Sequence, residues 1–319
     1  MWSEKWTKAF YNSQLTVIIT RFPNLKIGVV GWGDIGCEHA AHFASAGAKL
    51  GGVVSSRKNL SISVPVYERL EDMLPHVDAV TIAVPNYLHA QLCIEAIESR
   101  KAVMVEKPIC INNEELDALE SVSSQLNAPV HVGFRLRFNP AIRSIKERIG
   151  HPKKITCSYQ MGIERLAKGK DWTRLFSKTG GSFFTLGVHM LDLCRWLVDA
   201  GLQPLQMLTA NATHIGSAAD YPLNVSMSGF LPDGTELVAS TDLRGNKPAK
   251  IEIAIDYDSI DVANRSIRHS VAAADEDIEY EKMISAFVEA AKTGTGNSSY
   301  LSEVLITHRD LTIARTLAK

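Results

Sequence analysis

The stretch of the chain best suited to chemistry is Gly31-Trp32-Gly33-Asp34-Ile35-Gly36, which follows the apolar run Lys26 to Val30 and leads into a helical pattern. Three glycines at this spacing suit an extended diphosphate. The first allows a tight turn, the second lets backbone approach the anion, and the third lets helix pack on strand, while amides at the helix start face the charge. The spacing is short and says little alone; its place between a strand and a helix carries the inference. About twenty residues further on, an acid normally accepts hydrogen bonds from an adenosine ribose. Here the chain reads Val54-Ser55-Ser56-Arg57-Lys58. Two hydroxyls and a guanidinium suit a ribose 2′-phosphate, and no carboxylate at the turn repels it. The expected ligand is a nicotinamide dinucleotide, with NADP(H) favoured over NAD(H).

The elements that must position this loop are legible from periodicity. Between residues 26 and 138, short apolar runs (Lys26 to Val30, Leu50 to Val54, Ala79 to Val84, Ala102 to Val105, Val130 to Val132) alternate with helical stretches (Asp34 to Ala46, Tyr87 to Ser99, Asn113 to Leu126). Continuous apolar strands separated by helices imply a parallel sheet covered on both sides. Asn112, three residues before Glu115, marks a helix start. After Asn139 the period changes: Ile251, Ile253, Ile255 and Tyr257 alternate with polar neighbours, as do Val225 and Met227. Such alternation predicts half-exposed antiparallel strands, with others near 153–160, 205–215 and 235–243 and a turn at Pro232-Asp233-Gly234. Helices are expected near Leu186 to Asp199, 277–293 and 299–317. The fold class is therefore α/β: an N-terminal doubly wound parallel sheet of Rossmann type, then an α/β domain with a large, mostly antiparallel sheet. The expected division is an extension at 1–22, a dinucleotide-binding domain at 23–138, and a substrate-binding and oligomerisation domain at 139–319.

Val84-Pro85-Asn86-Tyr87-Leu88-His89, Val105-Glu106-Lys107-Pro108, the run Gly133 to Pro140 and the run Gly180 to Asp192 accompany the glycine loop. In this combination the chain resembles the glucose-fructose oxidoreductase and inositol dehydrogenase family from Lys26 to its end. The resemblance implies hydride transfer between nicotinamide and a carbinol or carbonyl carbon of a sugar, cyclitol or nucleotide-linked sugar, in a cleft between two domains. It places Pro85, Asn86, His89 and Glu106 at the nicotinamide half of the cofactor site. It aims Lys107 at the nicotinamide ribose, as part of the cofactor site, and at the reacting oxygen, with His189 facing it from the second domain. The chemistry of those two residues fits independently. An imidazole exchanges a proton near neutrality, and a desolvated ammonium stabilises negative charge developing on oxygen. Arg135, Trp172, Thr185 and Asp192 complete the substrate side, with Asp192 either orienting a neighbour or standing as an exposed first-turn acid. Arg174 and Lys178, with Trp172, precede the Gly180 to Asp192 run and either shape the substrate pocket or serve as ordinary surface residues. Many relatives carry aspartate where this chain has Thr185; a hydroxyl cannot serve as a base, which shifts the proton role toward His189. Two other readings stay open: reduction of an imine or tetrapyrrole carbon, and a non-catalytic regulator that binds the nucleotide.

Composition narrows the partners. Of 319 residues, 34 are Lys or Arg and 35 are Asp or Glu, so a net charge of −1 gives no field favouring nucleic acid or an anionic membrane. No apolar run approaches the ~18 residues that would span a bilayer, and residues 1–21 lack the marks of a secretory signal, so a cytoplasmic protein is expected. The five cysteines, Cys37, Cys93, Cys110, Cys157 and Cys194, are widely spaced, indicating neither a disulfide framework nor a metal site. The half-exposed strands predict a homodimer or homotetramer joined through the second sheet.

Overall fold

In a computed structural model, the described residues are 24–57, 59–125, 129–162, 173, 175–213, 224–244, 249–259, 262–272, 276–294 and 298–318. The first sheet contains β1 (Lys26–Val30), β2 (Lys49–Val54), β3 (Val66–Tyr67), β4 (Ala79–Ile82), β5 (Ala102–Val105) and β6 (Val130–Val132). Its order is β3-β2-β1-β4-β5-β6 with every pair parallel. β4 and β5 are buried along their whole length and β1 in four of five positions, as expected for strands covered on both faces. The covering helices include α1 (Asp34–Ala41), the short α2 (Leu70–Met73), α3 (His89–Glu98) and α4 (Asn113–Gln125). The Asn112 signal is realised: its Oδ1 accepts from Glu115 N at 2.8 Å, and Glu115 Oε2 accepts from Ile111 N at 2.8 Å. Strand order reverses between β1 and β4, which leaves a crevice at their carboxyl ends.

The chain leaves this sheet through a 3-10 turn at Arg135–Phe138 and α5 (Pro140–Lys146). Asn139 caps α5, its Oδ1 accepting from Ala141 N at 2.9 Å and Ile142 N at 3.1 Å. The second sheet comprises β7 (Lys154–Gln160), β8 (Gln206–Thr213), β9 (Asn224–Phe230), β10 (Glu236–Asp242), β11 (Lys250–Ser259) and β12 (Val262–Ala272), in the order β12-β11-β7-β10-β9-β8. Only β7 and β10 pair in parallel among these neighbours. β9 and β10 alternate strictly between buried and half-buried residues, and Gly234, at φ +89°, forms the turn between them. The buried face is covered by α7 (Val188–Leu197), which follows α6 (Phe176–Thr179) and a π-helical turn at Phe183–Gly187.

The sequence pattern does not include β3, α2, α5 or β12, and α1 stops five residues short of the expected Ala46. β12 escapes notice because Asn264, Arg265, Ser266 and Arg268 dilute its apolar period, which an edge strand tolerates. Packing also departs from chain order. In α8 (Glu276–Thr293), Met283, Ile284, Phe287 and Val288 share a core with Ile27, Val29, Val53 and Met104 of the first sheet. In α9 (Ser298–Leu317), Leu301, Val304 and Leu305 join the core containing Val103, Leu116, Ile155 and Leu237. The two C-terminal helices thus brace both sheets around the crevice.

Candidate active site

A cavity of about 930 Å³ opens at the carboxyl ends of β1, β2, β4 and β5 and is closed by residues of the second sheet and α7. Gly31, Trp32, Gly33, Asp34 and Ile35 form one wall. Gly31 has φ +97°, and a Cβ there would fall 2.4 Å from the Ala83 carbonyl oxygen; a Cβ on Gly36 would fall 1.9 Å from the Gly31 oxygen. At Gly33 a Cβ meets nothing within 4 Å. The outer two glycines therefore let the loop and helix pack, while the middle one faces open space at the start of α1. Gly36 itself is buried and does not line the cavity. This is a cradle suited to a dinucleotide pyrophosphate.

Ser55, Ser56 and Arg57 line the end next to β2, with Ser56 and Arg57 exposed and Arg57 N donating to Ser55 Oγ at 3.1 Å. Sequence spacing missed the neighbours that β3 brings there. Ser55 N donates to the Tyr67 carbonyl at 3.1 Å, so Glu68, Arg69 and Glu71 line the same cavity. Arg69 pairs with Glu71 at 2.5 Å and Asp72 at 3.3 Å.

Pro85, Asn86, His89, Glu106 and Lys107 line the adjoining wall. Asn86 Nδ2 donates to the Thr179 carbonyl at 3.3 Å, tying the β4 loop to α6, and Lys178 Nζ lies 5.2 Å from the Tyr87 ring centroid. His89 is 1% exposed, and both ring nitrogens face backbone, Nδ1 2.7 Å from Pro108 O and Nε2 2.8 Å from Val84 O. The His89 imidazole thus lines the cavity, as expected, while its ring nitrogens clamp the two loops together. Lys107 and His189 line the same cavity. Lys107 Nζ donates to the Thr185 backbone carbonyl at 2.9 Å. Burial pushes its pKa down to about 8, opposed by Glu106 and aided by Arg135. His189 packs edge-on against Phe134 at 6.0 Å and its buried Nδ1 has no hydrogen-bond partner. Burial, then the positive charges of Lys107 and Arg135, hold it well below the usual histidine range. The floor thus presents a neutral imidazole beside an ammonium at neutral pH.

Other expected substrate residues behave differently. Asp192 is neither exposed nor in the cavity wall. It is 2% exposed, and its carboxylate takes Arg137 Nε at 2.9 Å and a second Arg137 nitrogen at 2.5 Å, a forked pair that fixes α7 to the 3-10 turn. Thr185 turns its hydroxyl back to the Gly181 carbonyl at 2.9 Å and offers Lys107 its main chain instead. Arg135 does line the cavity but pairs with buried Glu279 and lies 5.8 Å from the Tyr280 ring. Tyr280 from α8, Tyr159 from β7 and Met161 just beyond that strand also line the cavity; nothing in the local sequence marks them, since distant elements bring them in. Trp172 and Arg174 lie outside the described residues. Among the described residues, the one grouping of His, Asp and Glu close enough to share a metal ion is Glu38, His42 and Asp277, none of which lines the cavity. No helix of the described residues is long and apolar enough to cross a membrane.

Comparison with known proteins agrees with this architecture. Residues 25–134 match the model of an oxidoreductase family with an NAD-binding Rossmann fold, and residues 143–220 match the C-terminal alpha/beta domain of the same family. The scyllo-inositol 2-dehydrogenase (NAD(+)) of Bacillus subtilis is 31% identical over 189 residues, 55% of this chain and 54% of that enzyme, so the match spans about half the length of that relative. The rhizopine catabolism protein MocA of Rhizobium meliloti is 25% identical over 71% of this chain and 73% of its own length. The crystal structure of scyllo-inositol dehydrogenase from Lactobacillus casei with NAD(H) and scyllo-inositol superposes with a TM-score of 0.74 at 22% identity, covering 92% of this chain and 97% of that one. With both halves matched, the chain belongs to the GFO/IDH/MocA family of NAD-binding oxidoreductases.

Proposed function

We propose that the protein transfers a hydride between nicotinamide and a carbinol or carbonyl carbon of a sugar or nucleotide-linked sugar, with Lys107 and His189 at the reacting oxygen. The observation that carries this reading is their common position in the cavity that also holds the glycine loop, although they stand 82 positions apart (189 minus 107) in the chain. Nicotinamide, when bound, supplies or accepts the hydride. In the oxidative direction the alcohol proton passes to the neutral His189 imidazole as the C–H hydride departs. The Lys107 ammonium, released from the Thr185 carbonyl, stabilises the negative charge forming on oxygen. In the reductive direction the same groups return the proton. Because Thr185 turns away, substrate hydroxyls meet Arg135, Tyr280 and Tyr159 instead of a carboxylate at that position.

The Ser55-Ser56-Arg57 turn supports a preference for NADP(H): the exposed Arg57 side chain can meet a dianion, whereas Glu71 is engaged by Arg69. Assembly through the second sheet is also proposed. Its outer face carries Thr156, Ser158, Ser226, Ser228 and Ser240 with Val238 and Phe230, all half-buried. Association there would rest on a flat hydrogen-bonding surface more than on an apolar patch, and light scattering reports it. The functional reading is tested by following NADPH and NADH oxidation against a panel of keto-sugars, with wild type and Lys107→Ala. Turnover that requires Lys107 supports it; cofactor binding without Lys107-dependent turnover indicates a regulator instead.

A further inference from the structure

Behind the cavity wall lies a polar chain that the proposed reaction does not use directly. His39, in α1, is fully buried. Its Nδ1 stands 2.7 Å from Thr81 Oγ1 on β4, and its Nε2 stands 3.2 Å from Glu106 Oε1. The Glu106 side chain is 13% exposed and its other oxygen accepts from Lys107 N at 3.3 Å. Neither His39 Nε2 nor Glu106 Oε1 makes a hydrogen bond of good geometry to any group among the described residues, so their 3.2 Å approach is the polar contact that each has there. In the tautomer in which the Thr81 hydroxyl donates to Nδ1, the ring proton sits on Nε2 and faces the carboxylate. The fit is close from the other side as well: a Cβ at Gly133 would fall 2.6 Å from Glu106 Oε1, so the glycine leaves room for the carboxylate where it stands.

From this arrangement we infer that His39 is a positioning residue which, through Glu106, holds the Lys107 side chain as an ammonium at the cavity floor. The inference rests on the functional reading above for its catalytic meaning, but not for its geometry. A buried carboxylate without a donor takes up a proton, because desolvation penalises its charge. His39, by its close approach, then Lys107 and His89, oppose that desolvation and hold Glu106 below the usual glutamate range. Glu106 in turn is the group that raises Lys107 against burial and against Arg135. The ionisable groups around the pair are therefore Glu106, Arg135 from the 3-10 turn, His189 from α7, His89 from α3, and Tyr280 from α8, whose ring centroid lies 5.6 Å from that of His39. Loss of His39 shifts Glu106 toward its neutral form and weakens its support of the Lys107 charge against burial and Arg135.

The experiment titrates Lys107 directly, by the pH dependence of its acetylation by acetic anhydride measured by peptide mass spectrometry, in the full-length protein without substrate. In folded His39→Leu the labelling midpoint falls by about one pH unit, whereas His39→Gln, which keeps an N–H donor of similar reach, returns it to near the wild-type value. The alkaline limb of kcat moves in parallel. A folded His39→Leu protein with an unmoved midpoint overturns the inference, as does an equal fall in His39→Gln. Should His39→Leu not fold, Thr81→Val asks the same question by freeing Nδ1 to take the proton from Nε2: the midpoint falls in the same direction, and an unmoved one overturns the inference. A midpoint that shifts as described in a protein that turns over no carbonyl substrate leaves this inference standing and removes the functional reading.

Discussion

The glycine loop and the Lys107 floor face each other across one cavity and are built by opposite means. The loop is shaped by main chain: a Cβ on Gly31 or Gly36 would collide with the Ala83 or Gly31 carbonyl, and its determinants lie within six consecutive positions. The floor is shaped by side chains from separate segments, in which Lys107, Arg135 and His189 adjust one another's charge. A steric constraint stays local and resists pH, whereas an electrostatic one is distributed and titrates. The two regions should therefore fail differently.

The largest expected effect separates chemistry from binding. Lys107→Ala lowers kcat by roughly 1,000-fold, about 4 kcal/mol, while the cofactor Kd, read by fluorescence titration, changes little. A matching loss of cofactor affinity would place Lys107 in binding and erase the contrast. On the loop, Gly36→Ala costs about 3 kcal/mol of stability, because its Cβ lands on backbone that cannot move cheaply. Gly33→Ala leaves Tm unchanged and weakens cofactor binding, since its Cβ enters open space meant for the ligand. Equal thermal shifts for both variants would contradict the division of labour between the glycines.

Acid should reach the floor first. His308 Nε2 accepts from Ile109 N at 3.3 Å, two residues beyond Lys107, and Nδ1 faces Val304 O at 2.8 Å. Burial lowers its pKa from 6.5 to about 4. Because the folded value lies below the unfolded one, the unfolded chain binds more protons between them. Stability is full above 6.5 and is lost as pH falls toward 4, by up to about 3 kcal/mol from this group. His308→Gln should flatten that part of the Tm profile; an unchanged slope would assign it to other groups. At the other extreme of pH, activity should fall as Lys107 loses its proton near 8. The smallest effect concerns the exposed turn: Arg57→Ala weakens NADPH binding about tenfold, roughly 1.4 kcal/mol, and leaves NADH binding nearly unchanged. Equal losses for the two cofactors would remove the proposed preference.

This contrast also explains what the sequence reveals. Strands β1, β4 and β5 are buried on both faces over almost all of their length and so appear as unbroken apolar runs, and the glycine loop announces itself by spacing. Asp192 is misleading from sequence because its position beside His189 on the helix suggests a shared role, and only the fold reveals Arg137 beneath it, 55 residues away in the chain. Thr185 likewise contributes through a carbonyl that no side-chain reading can find. The His39–Glu106 pair, Glu279 behind Arg135, and Tyr280 depend on contacts between α1, β5 and α8, elements whose mutual placement follows from packing and not from local pattern.

In the proposed reaction two side chains meet at one substrate atom. A crystal structure of the complex with NADP(H) and a substrate identified from the keto-sugar panel tests this most directly. The prediction is a substrate oxygen within about 3 Å of both Lys107 Nζ and a His189 ring nitrogen, with its carbon facing the nicotinamide. A substrate bound with Lys107 still held by the Thr185 carbonyl and His189 turned away from it would contradict the account.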